Sequence, residues 1–121
     1  MRLPTRISTS AAFATVVLFS AFTPPAFAGA DGWACDRPTL CLHESASGDG
    51  DYVNVLADIA DTTQSDRAGQ ARGAYNAGAV AWCLYPRTHF QGTGFQVDPG
   101  EAVALPSALQ GSVGSLRSGS C

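Results

Sequence analysis

Two histidines, four cysteines and a few carboxylates are the residues of this chain whose types and spacing could do chemistry. Cys41-x-His43, with Cys83 and His89, offers donors suited to zinc. The spacings match neither a zinc ribbon nor a finger. Asp49-Gly50-Asp51 offers oxygens suited to calcium. It lacks the downstream glutamate of a helix–loop–helix site and reads as a solvated hairpin turn. Asp58 and Asp61 could act as a carboxylate pair, with a solvated edge as the simpler reading. There is no Gly-x-Ser-x-Gly, no His-Glu-x-x-His and no phosphate-binding glycine loop. The chain therefore reads as a non-enzyme, with no catalytic residue, metal ligand or cofactor assigned.

The cysteines make more sense as staples than as ligands. Arg2 and Arg6 precede an apolar run from Ala11 to Phe22, and Ala26-Phe27-Ala28 is a small-x-small cleavage site. Residues 1–28 read as a secretory signal peptide, too short in its apolar run to span a bilayer. The remaining residues 29–121 suffice for a single small domain with a thin core. All four cysteines, Cys35, Cys41, Cys83 and Cys121, fall in that part. An even count in an exported chain predicts two disulfides, each adding about 2–4 kcal/mol. Three pairings are open. Cys35–Cys41 with Cys83–Cys121 is favoured, since the first closes a short loop and the second ties a strand to the chain end.

Charge narrows the partners. The full chain carries a net charge of −3, and loss of Arg2 and Arg6 would leave five arginines against ten acidic residues, or −5. It contains no lysine, and the arginines are scattered. Nucleic acids and anionic membranes select clustered cations, so neither is a partner.

The chain also repeats itself. Shifted by 42 positions, Cys41-Leu42 falls on Cys83-Leu84, Gly50 on Gly92, Val53 on Phe95 and Val55 on Val97. With a further three-residue offset, Gly69 and Arg72 fall on Gly114 and Arg117. Strands are expected at 40–43, 52–56, 70–74, 80–85, 95–97 and 113–117, separated by glycine-rich turns. Residues 56–60 fit a strand or one helical turn, 62–69 a loop, and 106–110 a short helical turn. Asn76-Ala77-Gly78 reads as the link between the repeats, and Gly29 to Ala34 as a loose lead-in. Seven or eight short strands with one internal repeat predict an all-β sandwich of two packed motifs, at about 35–76 and 79–121.

Tyr85-x4-Phe90-x-Gly92, with Ser115 before the last strand, resembles the Greek-key signature of the βγ-crystallin superfamily. The resemblance implies a sandwich of two Greek-key motifs. In each, an aromatic corner (Tyr85 and Phe90) and a glycine in a strained turn (Gly92) form a folded hairpin, pinned by a serine hydroxyl (Ser115). The first copy departs from the pattern: His43 and Gly48 replace the aromatics, and Gln70 stands where the serine belongs. Its hairpin is expected to fold differently or to move.

With its leader, its early close-spaced cysteine pair and its Cys-Leu-Tyr strand, the chain is similar to small secreted actinobacterial peptidase inhibitors of this fold. That similarity covers about residues 35–121. It implies binding to an extracellular protease, specifically a metalloprotease, by a secreted protein read here as a monomer. It does not identify the reactive segment. Inhibition needs a stiff exposed loop, because rigidity limits the entropy lost on binding. Asp36-Arg37-Pro38-Thr39-Leu40, tied by Cys35 and Cys41 if that bond forms, is the first candidate. Arg87-Thr88-His89 is the second.

Crystallin-like domains often bind calcium through two acidic segments. Here those read 65–70 and 110–115, with Asp66 the only carboxylate, so no strong site is expected. A secreted toxin or antimicrobial effector, and a calcium-dependent structural protein, are the alternatives to inhibition.

Overall fold

The computed structural model describes residues 32–121. The leader segment 1–28 lies outside the described residues. Seven short strands form two antiparallel sheets: β1 (Leu40–His43), β2 (Tyr52–Val55), β3 (Gly73–Asn76), β4 (Trp82–Tyr85), β5 (Phe95–Val97), β6 (Ala102–Ala104) and β7 (Ser115–Ser118). The first sheet has the order β2-β1-β3-β6, and the second β5-β4-β7. The 62–69 stretch, expected to be a loop, forms a 3₁₀ turn at Thr62–Gln64 and a single α turn at Asp66–Gly69.

Alternation along the strands builds the core. Leu40 and Leu42 of β1, Ala74 of β3, Trp82 and Leu84 of β4, and Leu116 of β7 point inward and bury their side chains between the sheets. The intervening residues point outward. Cys41 and Cys83 therefore occupy the outer faces of the middle strands, and both are fully buried there. Cys35 covers Cys41 and Cys121 covers Cys83, each through a disulfide.

The repeat is stricter than the sequence alignment suggests. β1 pairs Leu40 with Asn76 and His43 with Gly73, while β4 pairs Trp82 with Ser118 and Tyr85 with Ser115. Every one of these positions is related by 42 residues. The three-residue offset expected for the last strand is corrected accordingly: Gly73, not Gln70, stands at the place of Ser115. That offset matched Gly69 and Arg72 to residues of their own type, whereas strand pairing sets the equivalence.

The two motifs are interlocked rather than merely stacked. β6, from the second half of the chain, pairs with β3 of the first sheet. In return Ile59 exchanges both backbone hydrogen bonds with Leu116 of β7, each 2.9 Å. β6 escaped the sequence reading because Ala102-Val103-Ala104 has only one residue with strand preference.

Asn76 closes the junction. It is fully buried, and its amide nitrogen donates to the carbonyls of Val80 (2.7 Å) and Val97 (3.0 Å). Its side-chain oxygen accepts from the Gly78 N–H at 3.0 Å. One side chain thus shapes the inter-motif link and bonds it to β5 of the opposite sheet. Asn76→Ala leaves the buried Val97 carbonyl, the Val80 carbonyl and the Gly78 N–H without this partner. It is expected to cost about 2–4 kcal/mol in a denaturant melt. A loss below about 1 kcal/mol would show that water replaces the amide.

Candidate functional site

The segment between Cys35 and Cys41 is a small loop fixed from several sides. Pro38 sets φ, and Thr39 N–H donates to the Arg37 carbonyl at 2.8 Å, a three-residue turn centred on the proline. Thr39 Oγ1 donates to the Val55 carbonyl at the end of β2, at 2.5 Å. Asn54 Nδ2 donates to the Asp36 carboxylate at 2.8 Å. That bond, with further help from its own backbone and the Tyr52 hydroxyl, holds the Asp36 carboxyl below the usual carboxylate range. The Cys35–Cys41 disulfide closes the base. Asp36, Arg37 and Pro38 are exposed at the tip, and the Arg37 guanidinium makes no hydrogen bond or salt bridge among the described residues. Leu40 is different. It opens β1 with its side chain wholly in the core, so it cannot be presented to a partner. The five-residue candidate loop is corrected to a three-residue tip on a two-residue anchor.

The Arg87-Thr88-His89 candidate belongs to the folded hairpin of the second motif. His89 and Phe90 lie at φ 58° and 61°, and Gly92 at 95°. Two consecutive non-glycine residues in the left-handed region need outside support. His89 N–H donates to the Ala60 carbonyl at 2.6 Å. Phe90 N–H donates to Ser115 Oγ at 2.8 Å, and that hydroxyl donates to the Arg87 carbonyl at 2.5 Å. Tyr85 and Phe90 meet edge to face at 5.9 Å, under the Arg117 guanidinium. The serine, the aromatic pair and the glycine thus form one unit. This leaves the Arg87 and His89 side chains exposed but devotes their backbone to the hairpin.

The first motif reaches a similar shape by other means. Gly48 stands 42 positions before Phe90 and has φ 87°, so the strain at Phe90 is absent there. The missing aromatic is supplied from outside the motif by Trp33. A Cβ on Gly48 would lie 2.7 Å from Trp33 Cε2, and one on Gly73 would lie 2.8 Å from Trp33 Cη2. The indole fills the space left by both small residues and meets the His43 ring edge-on at 5.1 Å. Tyr52 stacks on the other side of His43 at 5.2 Å. The lead-in expected to be loose therefore contains a structural plug. The signal in the sequence was volume: a motif that loses an aromatic and a serine to two glycines needs a large side chain from elsewhere.

His43 is fully buried, and neither ring nitrogen has a well-formed hydrogen bond. Burial pushes its pKa below the ordinary histidine value, opposed in part by the nearby backbone of Gly48 and Ala34.

The residues considered as zinc donors are scattered: Cys41 and Cys83 are in disulfides on opposite sheets, and His43 is sealed between rings. Asp58 accepts from Ser118 N–H at 2.8 Å, and Asp61 caps the 3₁₀ turn by accepting from Thr63 N–H at 2.9 Å. The Thr63 hydroxyl and N–H hold the Asp61 carboxyl below its usual range, with His89 adding to the effect. The corrected repeat moves the first calcium-type segment from 65–70 to 68–73, which contains no carboxylate. Among the described residues no three histidine, cysteine or acidic side chains are placed to hold a metal ion.

The sequence model of peptidase inhibitor family I36 matches residues 28–97, more than half of the chain. No curated protein matches it. Several solved structures share its fold. A βγ-crystallin domain studied for the evolution of the eye-lens fold is 12% identical at a TM-score of 0.61, covering 70% of this chain and 88% of that one. A βγ-crystallin from Ciona intestinalis is 14% identical at 0.54, covering 65% and 96%. A βγ-crystallin domain from Clostridium beijerinckii is 12% identical at 0.58, covering 70% and 100%. The all-β, two-Greek-key sandwich with two disulfides is thus a βγ-crystallin fold.

The buried histidine generates a pH test. The unfolded chain takes up a proton at His43 near the ordinary value of about 6.5, while the folded chain resists it. The unfolded state therefore binds more protons below that value, and stability falls as pH drops through this window. Thermal melts between about pH 7 and pH 5 should show that decline in the native protein and a flatter profile in His43→Phe. Equal slopes in both would remove His43 as the cause.

Proposed function

The chain belongs to peptidase inhibitor family I36, and on that premise we propose that it is a secreted monomer that blocks an extracellular protease with the tip Asp36-Arg37-Pro38. It is an inhibitor rather than an enzyme, and its partner is a peptidase. The metalloprotease class rests on the resemblance of the chain to secreted inhibitors with this fold. Two disulfides fit an oxidising compartment. No helix among the described residues is long and apolar enough to cross a membrane. In this reading residues 1–28 are removed as a leader and residues 29–121 act as one domain of two motifs, at about 35–76 and 79–121.

The observation that carries the proposal is an exposed arginine and proline on a loop already held in one shape. A substrate loses conformational entropy when a protease extends it, and a pinned loop has lost it beforehand. Steric block follows, since Asp36 to Pro38 fill the cleft while the anchors stay on the sandwich. If a tip bond is hydrolysed, the new ends do not separate. The disulfide, the Asn54–Asp36 bond and the Thr39–Val55 bond keep both sides in place. The cut loop stays bound, and the cleft stays occupied.

The test is a panel of secreted metallo- and serine proteases, with native protein, Arg37→Ala and Arg87→Ala. Inhibition by native protein is expected to weaken about 10–100-fold in Arg37→Ala and little in Arg87→Ala. The opposite pattern would move the reactive segment to the second hairpin. No inhibition of any protease by native protein would remove the proposal.

A further inference from the structure

A three-residue tip is too small to be the whole contact. Protease–inhibitor interfaces cover about 800 Å² on each partner and about 20–30 residues a side. Further surface beside Arg37 and Pro38 must therefore be covered. Leu56 and Val80, 68% and 55% exposed, are the large hydrophobic residues that stand exposed among the described residues. Strand register places both next to the tip. β1 pairs Leu40 with Val55 on one side, and the step beyond that last pair leads to Thr39 on one chain segment and Leu56 on the other. The Thr39 hydroxyl bond to the Val55 carbonyl holds that step. On the other side β1 pairs Leu40 with Asn76, and Ala77 N–H donates to the Thr39 carbonyl at 3.0 Å. Gly78 then lies against Pro38, since a Cβ there would sit 2.8 Å from the Pro38 carbonyl oxygen. Val80 follows two residues later, its carbonyl held by Asn76 at 2.7 Å.

We infer that Leu56 and Val80 are two apolar anchors flanking the Arg37–Pro38 tip, and that the three together form the face that docks on the protease. This rests on the assignment of the tip to the substrate cleft and adds to it the apolar rims that the partner must present. Leu56 and Val80 are the large exposed hydrophobic side chains among the described residues, and a partner that covers them gains by removing their apolar area from water. Each adjoins an anchored group: the Val80 carbonyl accepts from the Asn76 side-chain amide, and Leu56 follows the Val55 carbonyl that Thr39 Oγ1 holds. The occupant is a protein with apolar ground on both sides of its cleft, as opposed to a second copy of this chain.

The experiment measures binding and inhibition with the protease that responds best to native protein. It compares Leu56→Asp, Val80→Asp, the double variant, and Thr93→Asp at the opposite end of the sandwich. Each single substitution is expected to weaken binding about tenfold and the double variant more than a hundredfold, with Thr93→Asp unchanged and all melting curves alike. Native binding with unaltered affinity in Leu56→Asp and Val80→Asp would overturn the docking face while leaving the tip intact. Loss in Arg37→Ala but not in either anchor variant would overturn it equally. Concentration-dependent dimerisation of the native protein that Leu56→Asp abolishes, with inhibition unchanged, would assign the face to self-association instead. If native protein binds no protease, the tip reading fails and the docking face falls with it.

Discussion

The Trp33 indole, lodged in the space above Gly48 and Gly73 and against His43, is the contact on which the first motif depends. Hairpin folding in the second motif rests on a local set: Phe90 on Tyr85 and Ser115 bonded to two backbone groups. The first motif has lost each of those parts to smaller or different residues. A hole of that size would leave β1 and β2 short of packing and is costly in any core. Trp33 fills it from a segment that lies outside the repeat and two residues before Cys35. The same side chain therefore supports the hairpin and delivers the chain into the disulfide loop. Structural repair and the proposed presentation of the loop share one residue.

The remainder of the fold follows from a 42-residue register kept without exception in the middle strands. Because the register is strict, inward and outward positions agree in both halves, and the two disulfides land on equivalent outer faces. The exchanged edges, β6 to the first sheet and Ile59 to the second, make each motif incomplete alone. Asn76 adds a buried polar tie at the point where one motif hands over to the next. A small domain with a thin core gains rigidity from these crossings as well as from its disulfides.

Much of this was legible in the sequence where identity and periodicity coincide. Cys41-Leu42 and Cys83-Leu84 mark the two middle strands, and Phe95 to Val97 is the strand its residues suggest. The reading failed where physics does not respect residue identity. Gly69 and Arg72 resemble Gly114 and Arg117, yet hydrogen-bond pairing assigns Gly73 to the place of Ser115. Leu40 stood both at the end of the candidate loop and at the start of the expected 40–43 strand, and its burial gives it to the strand alone. Trp33 looked idle because its partners lie 10 to 40 residues downstream. The candidate tip was legible as a short cysteine-closed loop. Its anchors, Asn54 and the Val55 carbonyl, appear only once β2 is placed beside β1.

The proposed inhibitory tip lies beyond the Leu40 end of β1, and the first motif depends on Trp33 at the His43 end. Amide hydrogen exchange, compared between native protein and Trp33→Ala, addresses that dependence most directly. The account predicts faster exchange confined to residues 35–51, including the amides of Thr39, Glu44 and Gly48, with β4 and β7 still protected. Unchanged protection in 35–51, or a uniform loss across both sheets, would contradict it.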